Sequence, residues 1–379
     1  MKDFQLIAKT LAGLEDVLAK EIKKLGGKNV NRGKRAVFYE GDLALIYKSN
    51  YFLRTALRVL KEIERFQFKN VDQFYLKCKN IDWVKHLSLD QNFRVDSVVV
   101  KSRDFKNSMY ASLKVKDAIA DYFREKFNKR PDVETDKPDI IINVHIFENS
   151  CTLSIDSSGE SLHKRGYRVK QGDAPLSEVL AAGMLLLAGW YGNSDFMDPM
   201  CGSGTLAIEA AMIAQNIPAA KLRKEFAFQS WNDFDPILWN EITQPVTKRD
   251  FRYTIYASDI SGSNLLNAQT NARRALVFNK IKFHKSDFRD LGVEFKDGLI
   301  VTNPPYGERL KETDLNGLYQ MIGERLKHKY AGSNAWILSS SFEGMKFIGL
   351  KPEKNIDLMN GALKCKFSKY GLFKGKKDG

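Results

Sequence analysis

The sequence predicts an α/β protein whose second half is a doubly wound parallel sheet and whose first half is a smaller α/β unit. From Leu176 onward, short apolar runs of strand length alternate with segments of helical periodicity, which is the pattern of consecutive βαβ units. A polar, glycine-containing stretch at 157–173 separates the two halves. With 379 residues, 43% of them hydrophobic, the chain is long enough for two or three domains with packed cores.

The first fifty residues predict a strand, a helix and a second strand. Phe4–Ala8 has strand character, and Leu11–Leu25 repeats apolar residues every three or four positions, as a helix does. Gly26 and Gly27 end this helix, because glycine readily adopts the left-handed conformation that closes a helix. The next strand is expected at Ala36–Tyr39.

Residues 51–160 predict a separate α/β unit. Strands are expected at Ala56–Ile63 and Arg94–Val100, and the long segment Met109–Phe127 has the apolar period of a helix. A hairpin formed by Ile140–Phe147 and Ser150–Asp156 completes the unit.

The remaining segment, 161–379, carries the βαβ alternation. A helix at Leu176–Leu187 precedes a strand at Asp195–Met197, a glycine-rich turn and a helix at Thr205–Gln215. An irregular aromatic insertion, Pro218–Arg249, interrupts the alternation. Further strands, with helices between them, are expected at Thr254–Ser258, Lys282–His284, Gly298–Thr302 and Ala335–Ser339.

The net charge of the chain is +14, divided as +6 over residues 1–160 and +8 over residues 161–379. Two basic halves are typical of a protein that lies along one polyanion, although solubility alone is the competing explanation. The four cysteines and five histidines show no CxxC, HxxxH or HExxH spacing, which argues against a local zinc site. No run approaches the ~18 apolar residues of a membrane span, and the N-terminus lacks the features of a signal peptide. We therefore expect a cytoplasmic protein without a metal site.

The segment Asp198-Pro-Met-Cys-Gly-Ser-Gly-Thr205 follows a predicted strand and opens a predicted helix. Gly202 and Gly204 allow a ligand to approach the backbone closely, and the helix start supplies free N–H donors. A nicotinamide-binding loop would need an acid about 20 residues further on. Here the next strand ends at Asp259, 57 residues beyond Gly202, and no GK[ST] follows that would indicate a P-loop. A tight turn without any ligand is the remaining alternative.

Three successive predicted strands carry an aspartate at the carboxyl end: Asp198, Asp259 and Asp287. In a doubly wound sheet these ends line the crevice that binds ligands. Carboxylates accept hydrogen bonds from ribose hydroxyls and from an exocyclic amine, so the pattern suits an adenosine. A single such acid is more often the N-cap of a helix, but the repetition favours a binding site.

Asn303-Pro-Pro-Tyr306 directly follows the apolar strand LIVT. The two prolines stop the strand and stiffen the backbone. This turn would present the Asn303 side-chain oxygen and the Pro304 carbonyl as two acceptors, beside the flat ring of Tyr306. Two acceptors next to a stacking ring suit the exocyclic amine of a nucleobase, whereas an isolated Pro-Pro motif would simply end a strand.

DPMCGSGT, ASDIS, KSDF and NPPYGERL resemble the motifs of class I S-adenosylmethionine methyltransferases that modify the amino nitrogens of nucleobases. Upstream, VVVKSRDFKNSMYASLKVKDAIADYF and CTLSIDSSGESLHKRGYR resemble a THUMP domain, an RNA-binding module, and its junction to the methyltransferase. The resemblance covers nearly the whole chain and is strongest to the bacterial THUMP-containing 23S rRNA guanine-N2 methyltransferases. It implies a ferredoxin-like segment at 1–50, a THUMP-like domain at 51–160 and a Rossmann-like methyltransferase domain at 161–379.

The resemblance also implies roles for individual residues. Asp259, with Ile260 beside it, would bind the ribose of the cofactor; Asp287 and Phe288 would bind its adenine. Asn303 would touch both cofactor and target base. The methionine part would be held by the loop residues Asp198, Pro199, Cys201, Gly202, Ser203, Gly204 and Thr205, with Cys201 as a packing residue rather than a nucleophile. The catalytic group would be Asn303, Pro304 and Tyr306.

The implied partner is RNA, 23S rRNA in particular, with no membrane and no metal. A monomer is slightly favoured over an oligomer. Three alternatives stay open at this point: an adenine-N6 methyltransferase acting on RNA, the same activity on DNA, and a non-catalytic RNA-binding or assembly factor. The basic residues expected to face RNA lie in the THUMP-like segment: Lys101, Arg103, Lys106, Lys114 and Lys116.

Overall fold

The computed structural model describes residues 2–169, 176–247, 249–295, 297–306 and 312–373. Within these residues the strands form two sheets, one in each half of the chain. The fold class expected from the sequence is confirmed, because the second sheet is parallel at its centre and has helices on both faces.

The first sheet has the strand order β2-β3-β1-β4-β8-β7-β5-β6. Strand β4 pairs antiparallel with β1 on one side and with β8 on the other, so the segments predicted as two separate units share one continuous sheet. The strands are β1 (Phe4–Lys9), β2 (Lys28–Gly33), β3 (Ala36–Gly41), β4 (Arg58–Gln67), β5 (Asn92–Val100), β6 (Asp132–Val133), β7 (Ile140–Phe147) and β8 (Ser150–Asp156).

Four helices pack on this sheet: α1 (Glu15–Lys24), α2 (Leu43–Phe52), α3 (Val71–Lys79) and α4 (Ser108–Phe127). Helix α4 begins where the Asn107 side chain accepts a hydrogen bond from the Met109 N–H, and it ends at Asn128 in the left-handed conformation. Helix α2 was not predicted from the sequence, because all its positions are buried or half-buried and the buried ones include polar Ser49 and Asn50, so no helical period of apolar residues is visible. Helix α3 was also missed.

The second sheet has the order β11-β10-β9-β12-β13-β15-β14. The first five strands in this order are parallel, and β15 and β14 run antiparallel at one edge. Its strands are β9 (Phe196–Asp198), β10 (Ile255–Asp259), β11 (Ile281–Lys285), β12 (Leu299–Thr302), β13 (Asn334–Ser339), β14 (Lys354–Asn360) and β15 (Leu363–Gly371). The helices of this half are α5 (Glu178–Leu187), α6 (Thr205–Ala214), α7 (Pro236–Thr243), α8 (Gly262–Arg274) and α9 (Glu312–Lys329).

The chain reverses its direction of winding between β9 and β12, which are neighbours in this sheet. A reversal of this kind leaves a crevice at the carboxyl ends of the strands. The three acids and Asn303 all lie at or just beyond those ends, so the sheet topology brings them to one edge.

The aromatic insertion of the second half packs on the first half. Phe226, Phe228 and Trp231 are buried in the hydrophobic core of the N-terminal sheet. The Phe228 ring stacks on Tyr47 of α2 with centroids 4.4 Å apart. The insertion therefore joins the two halves through a shared apolar core, which fixes their relative position.

The junction at 157–169, whose composition indicates a linker or domain boundary, is packed between the two halves. Arg165 and Tyr167 are 1% and 0% exposed. The Arg223 guanidinium donates hydrogen bonds to the carbonyl oxygens of Ser158, Glu160 and Ser161. The half-buried Arg223 side chain thus satisfies several backbone carbonyls of this polar segment. Residues 170–173 of the expected linker lie outside the described part of the chain.

Candidate active site

A cleft of about 860 Å³ opens at the carboxyl ends of β9, β10, β11 and β12. It lies at the point where the winding of the sheet reverses, the usual position of a ligand site in this architecture. Of the residues expected to bind a cofactor, all but Gly204 line it: Asp198, Pro199, Cys201, Gly202, Ser203, Thr205, Asp259, Ile260, Asp287, Phe288 and Asn303.

The two glycines of the loop between β9 and α6 have different surroundings. Gly202 has φ +52°, and a Cβ placed on it would have no described atom within 4 Å, so its backbone faces the open cleft. Gly204 has φ +83°, but a Cβ there would lie 2.8 Å from the Ala268 Cβ on α8. Gly204 therefore permits close packing of α6 against α8. That Gly204 also lets a ligand approach stays a prediction.

The first two residues of α6, Thr205 and Leu206, line the cleft, so the free backbone N–H groups of the helix start lie beside it. These groups have no partner inside the helix, and the helix dipole adds partial positive charge there. The loop before the helix is held from below, because the Cys201 N–H donates to the Ser258 carbonyl at 2.8 Å. Burial raises the pKa of the Cys201 thiol well above its ordinary value, so the thiol stays protonated. That protonation state suits packing rather than nucleophilic attack.

Asp198 ends β9 and is 2% exposed. One of its oxygens, Oδ1, accepts hydrogen bonds from Thr302 Oγ1 at 3.1 Å and from the Met200 N–H at 3.4 Å. Burial raises the pKa of its carboxyl to about 7, and the nearby charge of Asp259 acts in the same direction. Thr302 directly precedes Asn303, so this bond ties the end of β9 to the end of β12.

Asp259 ends β10, and both of its oxygens accept hydrogen bonds. Oδ2 accepts from the Gly202 N–H at 2.8 Å, and Oδ1 accepts from the Ser261 N–H at 2.9 Å and from Asn264 Nδ2 at 3.3 Å. The next residue, Ile260, is 67% exposed at the edge of the cleft. A carboxylate has about four acceptor positions, so one remains for a ligand hydroxyl.

Asp287 and Phe288 lie just beyond β11. Asp287 accepts a hydrogen bond from the Arg289 N–H at 2.8 Å and forms an ion pair with the Arg289 guanidinium at 3.2 Å. Phe288 is 2% exposed, and one face of its ring stacks on Tyr330 with centroids 5.7 Å apart. Only a small part of this ring is therefore available to a ligand.

The Asn303 side chain carries a buried oxygen, Oδ1, that has no hydrogen-bond partner among the described residues. An unpartnered buried acceptor costs on the order of 1–3 kcal/mol, so such an atom is typical of a site that a ligand completes. Asn303 lines the cleft together with Pro305. Residues 307–310, the rest of the motif NPPYGERL, lie outside the described part of the chain.

Pro304 and Tyr306 do not line the cleft in the described structure. Pro304 is buried, and Tyr306 is 9% exposed within the core of the second half. The Tyr306 hydroxyl accepts a hydrogen bond from Asn360 Nδ2 at 2.6 Å, and burial raises its pKa. In this arrangement the ring faces the core, so stacking on a target base, as the sequence analysis expects, would require the ring to leave it.

Sequence reasoning missed several residues that line the cleft. Asn264 lies in the first turn of α8 and bonds the strand-end carboxylate of Asp259. Its position five residues after that acid was the available signal, since the first turn of a helix that follows a strand end faces the same crevice. The other missed residues include Asn267, Ser286, Asp314, Leu318 and Met321, which have no local signature.

The five basic residues expected to face RNA lie at the end of β5, in the following turn and on α4. Lys101, Arg103 and Lys106 are exposed, while Lys114 and Lys116 are half-buried. Exposed apolar side chains lie beside them: Met109 is 69% exposed and Tyr110 is 42% exposed. The Lys114 ammonium lies 5.5 Å from the centroid of the Tyr110 ring. A surface that combines cations with exposed aromatic rings suits both phosphates and unpaired bases.

Among the residues that the structure describes, no group of three or more histidine, cysteine, aspartate or glutamate side chains is arranged to hold a metal ion. No helix in the same residues is long and apolar enough to cross a membrane.

Three segments of the chain match models of known protein families. Residues 165–369 match the RMKL-like methyltransferase domain, residues 68–156 match the THUMP domain, and residues 5–60 match the RlmL ferredoxin-like domain.

Curated proteins align with nearly the whole chain. A protein of Synechocystis sp. that carries the provisional name of RNA methyltransferase is 36% identical over 365 residues, which are 95% of each chain. Ribosomal RNA large subunit methyltransferase K/L of Vibrio campbellii is 37% identical over 386 residues, which are 99% of this chain and 54% of that protein. The chain thus spans about half the length of the K/L relatives.

Solved structures have the same fold over nearly the whole chain. A provisionally assigned methyltransferase crystallised with SAH (S-adenosylhomocysteine) is 29% identical, with a TM-score of 0.89 over 99% of this chain and 100% of that chain. A structure from Listeria monocytogenes, named by prediction as an N6-adenine-specific DNA methylase, is 32% identical, with a TM-score of 0.89 over 98% of this chain and 97% of that chain.

Proposed function

Because the chain belongs to the RMKL-like methyltransferase family and uses S-adenosylmethionine, we propose that it methylates an exocyclic amino group of a nucleobase in RNA, namely guanine N2 in 23S rRNA. The single observation that carries the choice of an amine is the buried, unpartnered Asn303 Oδ1 at the edge of the cleft. A nucleobase amine offers two N–H donors, and this acceptor is free to take one of them.

The proposed chemistry follows from the weakness of the nucleophile. The lone pair of a nucleobase amine is delocalised into the ring, so the nitrogen attacks poorly. Hydrogen bonds from its two N–H groups to Asn303 Oδ1 and to the Pro304 carbonyl would pyramidalise the nitrogen and free the lone pair. When bound, the cofactor supplies an electrophilic methyl group on a sulfonium, whose sulfur leaves as a neutral thioether, and the methylated nitrogen then releases one of its two protons to solvent. Most of the acceleration then comes from alignment, since no covalent intermediate on the protein is needed.

The cofactor contacts are proposals that the geometry supports. The loop residues between Asp198 and Thr205, with the N–H groups that open α6, would hold the methionine end. Asp259 would accept from the ribose hydroxyls with the acceptor position that its own hydrogen bonds leave free. Asp287 would accept a hydrogen bond from the adenine amine. Ile260, which follows Asp259, offers an exposed apolar side chain to the cofactor.

Pro304 and Tyr306 keep their proposed roles, but the role of Tyr306 requires a change of conformation and that of Pro304 does not. Pro304 directly follows Asn303, so its carbonyl is positioned by the same rigid turn. Tyr306 is anchored by Asn360, and in this conformation it supports the turn from the core side. Stacking on the base is proposed only for a conformation in which that hydrogen bond is broken.

RNA as the substrate is supported by the match to the THUMP domain and by the names of the relatives. The phosphates of the RNA would be bound by the basic set Lys101, Arg103, Lys106, Lys114 and Lys116.

The division of the chain into segments 1–50, 51–160 and 161–379, each with its own role, stays a proposal. We also propose that the chain meets rRNA in the cytoplasm.

Adenine N6 is the second candidate target, because the two acceptors of the turn fit that amine equally well. The name carried by the Listeria monocytogenes structure points the same way for that protein. A non-catalytic RNA-binding role is less well supported, since the strand-end acids and Asn303 lie together at one cleft.

The test is mass spectrometry of nucleosides from the rRNA of a strain that lacks the gene. We expect one N2-methylguanosine to disappear from 23S rRNA and to return with the wild-type gene but not with Asn303→Ala. Loss of an N6-methyladenosine would establish the second candidate instead. An unchanged set of methylated nucleosides would remove the proposed substrate.

A further inference from the structure

The loop between β9 and α6 is held from three directions. From β10, Ser258 and Asp259 accept backbone hydrogen bonds from Cys201 and Gly202. From α8, Asn271 Nδ2 donates to the Ser203 carbonyl at 3.1 Å. The third direction is the junction between the two halves of the chain, and no expectation from the sequence included it.

Arg168 of this junction contacts the last turn of the loop with its planar guanidinium. Nη1 donates to Ser203 Oγ at 3.1 Å, and Nη2 donates to Thr205 Oγ1 at 3.1 Å. Nη2 also donates to the Leu176 carbonyl at 3.1 Å, and Nε donates to Glu178 Oε1 at 2.9 Å. The Arg168 and Glu178 side chains are 12% and 5% exposed, so this is a buried, paired cation.

We propose that Arg168 is a positioning residue that holds the Ser203–Thr205 part of the loop in the conformation that receives the methionine end of S-adenosylmethionine. The inference deepens the proposed function and rests on the cofactor occupying this cleft. Arg168 does not line the cleft itself, and Glu178 neutralises its charge. Its effect is therefore geometric and does not depend on attraction of the cofactor carboxylate.

The chemistry of arginine explains why this position suits it. One rigid plane reaches two hydroxyls, a carbonyl and a carboxylate at once, and lysine cannot reproduce that fork. The neighbouring residue adds a second link, since the Val169 N–H donates to Asn271 Oδ1 at 3.1 Å. Asn271 in turn bonds Ser203, so two consecutive junction residues act on the same loop residue.

The junction that carries Arg168 is itself anchored in both halves of the chain. The Arg165 guanidinium donates to the Arg54 carbonyl of the N-terminal half. The Tyr167 hydroxyl donates to Glu209 Oε1 on α6 at 3.2 Å. The position of Arg168 is thus set by the docking of the two halves, and the loop conformation depends on that docking.

The variant Arg168→Lys tests the proposal in the full-length protein. We expect its Kd for S-adenosylmethionine by calorimetry, and its KM for the same cofactor, to rise about tenfold. The kcat at saturating cofactor should stay within about threefold of wild type, because the reacting groups do not touch Arg168. This split between KM and kcat is a readout that a general loss of stability would not produce.

Arg223→Lys is the matched control. Arg223 also bonds the junction through several carbonyl oxygens, but none of its hydrogen bonds goes to the loop. We expect a comparable fall in Tm with a cofactor Kd within twofold of wild type. An Arg168→Lys protein with a lowered Tm and an unchanged Kd would overturn the positioning role and leave the proposed function intact.

The loop side supplies a second test, in which the hydroxyl partners of Arg168 are removed alone and together with Arg168→Lys. Ser203→Ala with Thr205→Val removes the two hydroxyls that Arg168 bonds. We expect this pair to raise the Kd by a similar factor, and Arg168→Lys to add little to it. Full additivity, or an unchanged Kd in the hydroxyl variant, would contradict the proposal. A wild-type protein that binds no S-adenosylmethionine would remove both the proposal and the cofactor assignment.

Discussion

The Gly202 N–H donates a 2.8 Å hydrogen bond to Asp259 Oδ2 across 57 residues of sequence. This bond joins the turn after β9 to the end of β10, the strand that pairs with β9 on the side away from β12. Asp259 therefore holds the turn after β9 in place and still has one acceptor position for a ligand. Gly202 can take part because its backbone faces the open cleft.

Asp259→Ala is expected to weaken S-adenosylmethionine binding by roughly 1–3 kcal/mol, because the ligand and the Gly202 N–H both lose an acceptor. Asp259→Asn should lose less, since its amide oxygen can still accept from Gly202. Calorimetry on the wild type and both variants measures the difference. Asp250→Ala, which removes an exposed carboxylate of the same half, controls for the change in net charge. Equal affinities for all four proteins would contradict the role of Asp259.

Asn303→Ala is expected to bind S-adenosylmethionine and to fold nearly as the wild type does, but to transfer methyl groups on the order of 10²–10³ times more slowly. The reason is the loss of one aligned acceptor that acts mainly in the transition state, by analogy with the loss of an oxyanion-hole donor. Single-turnover assays on a transcript of the target, beside a thermal melt, measure both properties.

Asn303→Asp sharpens this test, because it keeps the acceptor oxygens and adds a negative charge near the RNA backbone. Partial activity is expected for it. If Asn303 merely caps a turn, Asn303→Ala should lose about 1 kcal/mol of stability and keep normal turnover. A destabilised but fully active Asn303→Ala protein would rule out the catalytic role.

Neutralising Lys101, Arg103 and Lys106 together is expected to weaken RNA binding and to flatten its dependence on salt. Each lost phosphate contact releases one counterion fewer, so the slope of log K against log salt falls by about 0.7–0.9 per contact. Fluorescence anisotropy with a labelled transcript at several salt concentrations measures the slope. A control triple on α1, Lys20, Lys23 and Lys24 changed to Gln, removes the same charge from another exposed surface. The same slope in both triples would show that the turn before α4 is solvated surface instead of a binding surface.

Asp198→Asn is expected to stabilise the cofactor-free protein at pH 8 but not at pH 4. The folded-state pKa of Asp198 is raised to about 7 from 3.8, so the folded protein holds a proton that the unfolded chain has already lost. The stability contributed by this protonated carboxyl is complete below pH 3.8 and is lost as the pH rises to about 7. At about 1.4 kcal/mol per pKa unit, the variant should gain up to about 4 kcal/mol above that range.

Thermal melts from pH 4 to pH 8 check this prediction through the difference in Tm between the Asp198→Asn variant and the wild type. That difference should grow with pH, because the buried carboxylate becomes charged only in the wild type. The exposed pair Asp250 and Arg252 offers the control Asp250→Asn. A difference in Tm that does not change with pH would mean that Asp198 is ionised throughout.

Local sequence patterns were sufficient for the elements that repeat a simple period. The hairpin Ile140–Phe147 and Ser150–Asp156 was placed residue for residue, and the four strands that carry the site were placed to within one or two residues. The cleft could be anticipated for the same reason: parallel strands align their carboxyl ends, so residues that end successive strands must converge. The sheet topology therefore brings four residues to the same edge, because each of them ends or closely follows a parallel strand: Asp198, Asp259, Asp287 and Asn303.

Local sequence patterns did not reveal the roles of Gly204, Tyr306 and Arg168. These roles depend on contacts between distant segments, and only the tertiary structure shows which side chains the fold brings together. Gly204 packs on Ala268 while Gly202 faces the cleft, although the two differ by one position in the same motif. Tyr306 faces the core because Asn360, on the antiparallel edge of the sheet, supplies a donor for its hydroxyl. Arg168 lies in a polar stretch whose composition indicates a linker or domain boundary and nothing more. The hydrogen-bond partners of Arg168 lie on α5 and on the loop before α6. Because these partners satisfy its guanidinium, the polar segment can pack in a defined conformation.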